Sequence, residues 1–171
     1  MTRPQQDVQF SQWMREHSSI ALRTARAFEF NAEDRADLLQ EILVAWWRSI
    51  LNFPVSGNAR QWLYRVSLNT ALAWQRRESR RRRVIDRAKP FAQLVEQVPQ
   101  PVEPGDRDAI EELYRGIHEL NPGERALILL HLDGFSYGEI ALTLGISANA
   151  VGSRLTRIRD TLARILKGKP H

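Results

Sequence analysis

The stretch GFSYGEIALTLGISANAVGSRLTRIRDTLARIL, residues 134–166, constrains this chain most, because its local signals spell two helices joined by a tight turn. Ser136 and Glu139 form an S-x-x-E capping box that opens a short helix carrying Ile140, Ala141 and Leu144. Gly145 can take the left-handed backbone that ends a helix without steric penalty. Ser147 is then an N-cap for a second helix. In that helix Val151, Leu155, Ile158, Leu162 and Ile165 recur at spacings of four, three, four and three, which makes one apolar face. At about 100° per residue, Ser153, Thr156 and Arg157 fall on the opposite face, with Arg154 at its edge. This is the layout of a helix-turn-helix, in which the first helix braces and the second offers hydroxyl and guanidinium groups to the major groove.

A helical hairpin with charged outer residues is often nothing more than that. Here the charge balance decides for DNA. From Ser147 onward, Arg154, Arg157, Arg159, Arg164, Lys167 and Lys169 face one acid, Asp160. Phosphate neutralisation requires such an excess. The whole chain of 171 residues carries a formal charge of +5, which points to a polyanionic partner. With 43% hydrophobic residues it can fill packed cores. There is no cysteine, which excludes disulfides and thiolate zinc sites and is compatible with a reducing cytoplasm. No apolar run approaches the roughly 18 residues of a membrane span, so no membrane insertion is expected. The N-terminal MTRPQQDVQF lacks the apolar core of a secretory signal. A cytoplasmic protein is expected.

Upstream, residues 5–30 place Phe10, Trp13, Met14, His17, Ala21, Ala25 and Phe28 at helical spacings. His17 lies in this apolar stripe and forms no cluster with His118, His131 or His171, so no metal site is expected. Asn31 is an N-cap for a helix over 32–51, with Glu33 and Asp34 at its positive end. That helix has an unusually wide apolar arc: Leu38, Leu39, Ile42, Leu43, Trp46, Trp47 and Ile50. Its other side bears Asp37, Gln40, Glu41, Val44 and Arg48, a ridge that is either solvated or docked on a protein partner.

Residues 52–60, NFPVSGNAR, read as a loop beginning with Phe53. A long helix follows over 61–83, with a buried face of Ala59, Trp62, Leu63, Val66, Thr70, Ala73 and Trp74. Beside that face Arg65, Asn69, Arg76, Arg80 and Arg83 form a ridge. An amide within a row of guanidinium groups suits DNA: the arginines hold phosphates and Asn69 reaches a base. The helix ends in RRESRRRR, which prolongs the ridge. Residues 84–108 then change character. Pro90, Pro99, Pro101, Pro104 and Gly105 break the periodicity, and acids dominate from Pro90 to Glu112, so an interdomain linker is expected, with one helical turn near 91–95. Beyond it, Ile110, Leu113, Ile117 and Leu120 mark a helix. Asn121-Pro122-Gly123-Glu124 starts another, with a cap, Pro at N1 and Glu at N3.

The expected fold is therefore all-α, with two small helical domains joined by a flexible linker and a helix-turn-helix in the second. The expected bounds are 1–88, 89–108 for the acidic proline-containing linker, and 109–171. No Ser/His/Asp set, carboxylate cluster or phosphate-cradling glycine loop appears, so an enzyme is not expected, nor a cofactor. On the residues alone, a stand-alone regulator that dimerises through the two-sided helix 32–51 stays open beside other DNA-binding roles.

Three segments in order resemble bacterial RNA polymerase sigma factors of the extracytoplasmic-function (ECF) group. They are DLLQEILVAWWRSILNF (37–53), RQWLYRVSLNTALAWQRR (60–77) and LNPGERALILLHLDGFSYGEIALTLGISANAVGSRLTRIRDTL (120–162). The resemblance runs from about Phe10 to Leu166. It implies a subunit that binds core RNA polymerase, through the β′ clamp helices and the β flap, and directs initiation at promoter DNA. It implies core contacts at Asp37, Gln40, Glu41, Val44 and Arg48. For the minus-ten element it implies Phe53, Trp62, Arg65, Asn69, Arg76 and Arg80, with Phe53, Trp62 and Asn69 holding unstacked bases. For the minus-thirty-five element it implies Ser153, Arg154, Thr156 and Arg157. An anti-sigma protein is a further implied partner, and a monomer the implied free state. Two positions depart from the pattern: Ala73 stands where many members have Asp, and Gly152 where a basic residue is usual.

Overall fold

A computed structural model describes residues 1–85 and 107–168, which form seven α-helices and one 3-10 turn. The helices are α1 (Arg3–Phe28), α2 (Ala32–Ser49), α3 (Ala59–Ile85), α4 (Arg107–His118), α5 (Pro122–Leu132), α6 (Tyr137–Leu144) and α7 (Ala148–Lys167), with the turn at Ile50–Asn52. No strand occurs among the described residues. Residues 89–106 of the expected linker, its helical turn and the expected bound at 88 lie outside the described residues, while α4 begins at Arg107, two residues ahead of the expected start of the second domain.

The capping chemistry sets most helix starts. The Asn31 side chain accepts from the amides of Glu33 and Asp34. Asn121 and Glu124 satisfy one another's backbone amides at 2.9 and 3.1 Å, with Pro122 at the first helical position. Ser136 and Glu139 do the same for α6, and Ser147 Oγ accepts from Ala150 N. These contacts fill donors that a helix N-terminus otherwise leaves to water.

Helices α1, α2 and α3 pack around Trp13, Phe28, Leu38, Ile42, Trp46, Leu63 and Leu68, all buried. Trp46 is fully enclosed, and its indole Nε1 donates to Ser67 Oγ at 2.8 Å, so burying that polar atom carries no unpaired-donor cost. Helices α4 to α7 close on Ile117, Leu127, Leu130, Ile140, Val151, Leu155 and Ile158. The two groups also pack on each other: α1 touches α4 and α5, while α3 touches α5 and α6. In α5 the consecutive residues Ala126, Leu127, Ile128, Leu129 and Leu130 are all buried. Five consecutive positions go right round a helix, so both groups cover it.

That packing corrects the expected face of α3. Its buried residues are Leu63, Tyr64, Ser67, Leu68, Ala71 and Trp74, whereas Trp62, Val66, Thr70 and Ala73 are half-buried. The face is turned toward Tyr64 because the α5–α6 connection lies on that side, with the Phe135 ring 5.2 Å from the Tyr64 ring. In α2 only Leu38, Ile42 and Trp46 are buried. Leu39, Leu43 and Trp47 line an apolar groove with Phe10 and Val44 instead, which accounts for the width of the apolar arc.

Candidate nucleic-acid interface

The C-terminal surface is built by the turn between α6 and α7. Gly145 has φ 68°, in the left-handed region, and its amide donates to Ala141 O at 2.9 Å. No heavy atom lies within 4 Å of where its Cβ would stand, so the backbone angle rather than space requires glycine here. Val151, Leu155, Ile158 and Leu162 anchor α7 inward. Ser153, Arg154, Thr156 and Arg157 are consequently exposed. Thr156 Oγ1 donates to Gly152 O at 3.1 Å, which fixes its rotamer. Among the described residues neither Arg154 nor Arg157 has an acid partner, so both present uncompensated charge.

The N-terminal surface lies on α3. Arg65, Asn69, Arg76 and Arg80 are exposed along it, and among the described residues none of these arginines forms an ion pair. The charge row ends in a region where Arg83's side chain lies outside the described residues. Phe53 and Trp62 sit beside the ridge, half-buried and in contact, with ring centroids 5.8 Å apart. Phe53 also meets Trp13 edge-on at 5.3 Å, and Trp62 Nε1 donates to Ser49 Oγ at 3.1 Å. A Cβ on Gly57 would stand 2.8 Å from the Phe53 ring, so only glycine lets the 52–60 loop lie against that ring. The aromatic pair is thus held by the core on one side and reaches the surface on the other.

Asp37, Gln40, Val44 and Arg48 are exposed on α2, and Glu41 is half-exposed. They line an open groove of about 740 Å³ together with Asn52, Thr70 and Arg77. Glu41 accepts from Arg77 Nη2 at 2.6 Å. Arg77 lies next to Arg76, so this pair joins the α2 ridge to the helix that carries the α3 ridge. The sequence pattern does not reveal it, because the partners are 36 positions apart.

A second polar cluster also escapes the sequence. Asp133, the residue that ends α5, accepts from Arg23 Nη2 at 3.0 Å and from Tyr64 Oη at 2.6 Å, and pairs with Arg60 at 3.3 Å. The Arg60 guanidinium also donates to the Asp133 carbonyl and lies 4.3 Å over the Phe135 ring. Burial, then the bond to Asp133, pushes the Tyr64 hydroxyl pKa up, so it remains a donor. Burial works against the Arg23 charge, but Tyr64 and Asp133 outweigh it and hold that pKa above its ordinary value. Among the described residues no group of three His, Cys, Asp or Glu is placed to hold a metal, and no helix is long and apolar enough to cross a membrane.

Two basic helical surfaces on one chain, beside an acid-bearing ridge on α2, have the character of a DNA-binding protein. Residues 13–81 match Sigma-70 region 2, and residues 110–162 match Sigma-70, region 4. The chain is 31% identical over 162 residues to the RNA polymerase sigma factor NccH of Alcaligenes xylosoxydans xylosoxydans, covering 92% of this chain and 87% of that one. It is 28% identical to the ECF RNA polymerase sigma factor SigM of Mycobacterium tuberculosis, covering 92% and 76%. Its fold is similar to that of the sigma factor RpoE in its complex with the anti-sigma factor NepR from Bartonella quintana. That likeness has a TM-score of 0.76 and 22% identity, over 95% of this chain and 99% of that one. It is also similar to CnrH in complex with the cytosolic domain of CnrY, with a TM-score of 0.63 and 26% identity, over 94% and 89%. The chain belongs to the ECF group of RNA polymerase sigma factors. It is an alternative sigma factor that binds core RNA polymerase and promoter DNA to direct transcription. The stand-alone dimeric regulator is not favoured, since the N-terminal half matches a sigma region.

Proposed function

We propose that this sigma factor divides its work between a domain at 1–88, which docks on core polymerase and takes the minus-ten element, and one at 109–171, which reads the minus-thirty-five element. In this reading residues 89–108 are the tether. Asp37, Gln40, Glu41, Val44 and Arg48 meet the β′ clamp helices, and the C-terminal domain meets the β flap. Arg65, Arg76 and Arg80 hold phosphates while Asn69, Phe53 and Trp62 receive opened bases. Ser153, Arg154, Thr156 and Arg157 enter the major groove. The protein works in the cytoplasm, performs no chemistry of its own, and lends specificity to the polymerase that does. Because the sigma factors RpoE and CnrH have been solved in complex with partner proteins, NepR and CnrY, an anti-sigma protein is proposed for this chain too.

One observation carries the reading. The exposed amide of Asn69 lies in a row of arginines without acid partners among the described residues, on the helix that also carries half-buried Trp62, against which Phe53 packs. This is a surface suited to separated strand, which needs charge along the backbone and flat or amide groups for bases. The test is Asn69→Ala with reconstituted core polymerase. Promoter opening, read by permanganate reactivity of unpaired thymines, should fall while core affinity stays unchanged. Equal losses in both would mean that Asn69 is structural and the assignment wrong.

A further inference from the structure

A cleft of about 250 Å³ opens between α1, the first turns of α2 and Tyr114 of α4. Helical spacing accounts for its lining. Leu22, Arg23 and Arg26 share one stretch of α1, with Arg26 three and four positions beyond the other two, and Arg35 and Leu39 stand four apart on α2. Apart from the Tyr114 phenol, every polar side chain that lines the cleft is a guanidinium: Arg23, Arg26 and Arg35. Among the described residues no acid lines it.

The three cations are not equally engaged. Arg23 is answered by Asp133 at 3.0 Å. Arg35 donates to neutral acceptors, the carbonyls of Glu29 and Phe30, at 3.2 and 2.9 Å. Arg26 lies 4.3 Å over the Tyr114 ring, which orients the guanidinium but supplies no full negative charge. Among the described residues neither Arg26 nor Arg35 makes an ion pair. Burial, and then the Arg26 charge beside it, hold the Arg35 pKa below its ordinary value against the opposing effect of Glu29. Glu29 itself is buried and accepts from Trp74 Nε1 at 2.6 Å. Two like charges kept together in a partly buried cleft repel, and an anion between them removes that repulsion.

We propose that this cleft binds a small phosphate monoester, its dianionic head between Arg26 and Arg35 and its ester group on Leu22 and Leu39. A phosphate monoester carries about −1.5 to −2 charge near pH 7 and presents several acceptor oxygens, which suits two guanidinium forks. The volume lies just under the roughly 300–1,000 Å³ of ordinary small-molecule pockets, so the ligand is compact. Burial, more than anything else, raises the Tyr114 pKa, so its phenol remains a hydrogen-bond donor in the lining. Leu22 and Leu39 give the cleft an apolar side that bare phosphate would leave unused and an ester covers. The site involves neither promoter nor polymerase, so it stands or falls apart from the roles assigned to α3 and α7.

The test uses the full chain and phenyl phosphate, with phenyl sulfate as the monoanionic control, titrated by calorimetry at fixed ionic strength. Phenyl phosphate should bind saturably, one per chain, and raise the melting temperature. Phenyl sulfate should bind more weakly, for want of the second charge. Arg26→Gln should weaken phenyl phosphate about ten-fold, the loss of a charge-assisted contact. Leu22→Glu leaves every arginine in place and alters a side chain that is 54% exposed, so folding is kept while the new carboxylate should also weaken binding. Arg15→Gln, at an exposed position three turns back along α1, removes the same charge as Arg26→Gln and should leave binding unchanged. No saturable binding at millimolar phenyl phosphate, equal binding of the two ligands, or equal losses in Arg15→Gln and Arg26→Gln would overturn the site. Displacement of bound phenyl phosphate by a short DNA duplex would give these arginines to nucleic acid, and would overturn it as well.

Discussion

Gly152 offers a sharp test of how α7 meets DNA. It lies one position before Ser153 on the flank of the exposed face, half-buried. A Cβ there would lie 3.5 and 3.9 Å from carbons of the Tyr137 ring, ordinary van der Waals contact, so a Cβ is accommodated without moving the backbone. Gly152→Arg should act in two separable ways. Replacing glycine inside a helix should stabilise α7 by roughly 0.5–1 kcal/mol. The new guanidinium should take one phosphate, steepening the slope of log K against log salt by about 0.9. Between 50 and 200 mM salt the variant should therefore lose about 3.5-fold more affinity than the parent loses, having started tighter. Fluorescence anisotropy on a duplex carrying the minus-thirty-five element, titrated with salt, reads the slope, and thermal melting reads the stability. Gly152→Ala supplies the helix effect without the charge. An arginine variant that melts like the alanine variant yet keeps the parent's slope would show that this flank does not face phosphate, and the proposed seating of α7 would have to be abandoned.

Arg157→Ala should cost roughly 1–3 kcal/mol on the preferred duplex and relax sequence preference at one position if the side chain makes a bidentate base contact; selection from a randomised duplex pool checks this. An even loss across all sequences with a shallower salt slope would mark it as a phosphate contact instead. Ser67→Ala leaves the enclosed Trp46 indole without its acceptor, so stability should drop by about 1–3 kcal/mol in denaturant melts while the DNA surfaces stay in place. Acidification should loosen the structure through His118. Burial, with Arg125 and Arg35 nearby, depresses its pKa below 6.5, against the opposing effects of the Arg26 carbonyl and Glu119. The unfolded chain then binds the proton first, so this stabilisation is whole above about pH 6.5 and is lost as pH falls toward the folded value. Urea melts at pH 7.5 and 5.5 should differ less in His118→Gln than in the parent.

The two helices α6 and α7 and the turn between them were legible because every signal for them is local: a cap three residues from its amide, a glycine at the left-handed position of the turn, an apolar repeat on one face. The ridges on α2 and α3 were legible for the same reason, since they depend only on helical angle. The inward face of α3 was not. Tyr64 packs on Phe135 and bonds to Asp133, some seventy positions further on, and no window along the chain contains both sides of that contact. Asp133 carries no local signal of its role, and its three partners become visible only when α1 and α3 are brought to it. The half-exposed Leu39, Leu43 and Trp47 signalled an arc wider than one packed face needs, which hinted at an open groove but could not say where it lay.

The burial of five successive residues in α5 bears on what happens to unused copies of the protein. Were α5 to lose its cover of α1 and α3, greasy side chains would meet water, and a molecule in that condition sticks to its own kind. A cell holding more copies than polymerase can occupy keeps the surplus dispersed only so long as each folds shut upon itself. Any change that props it open should therefore be felt first as clumping, before transcription alters at all.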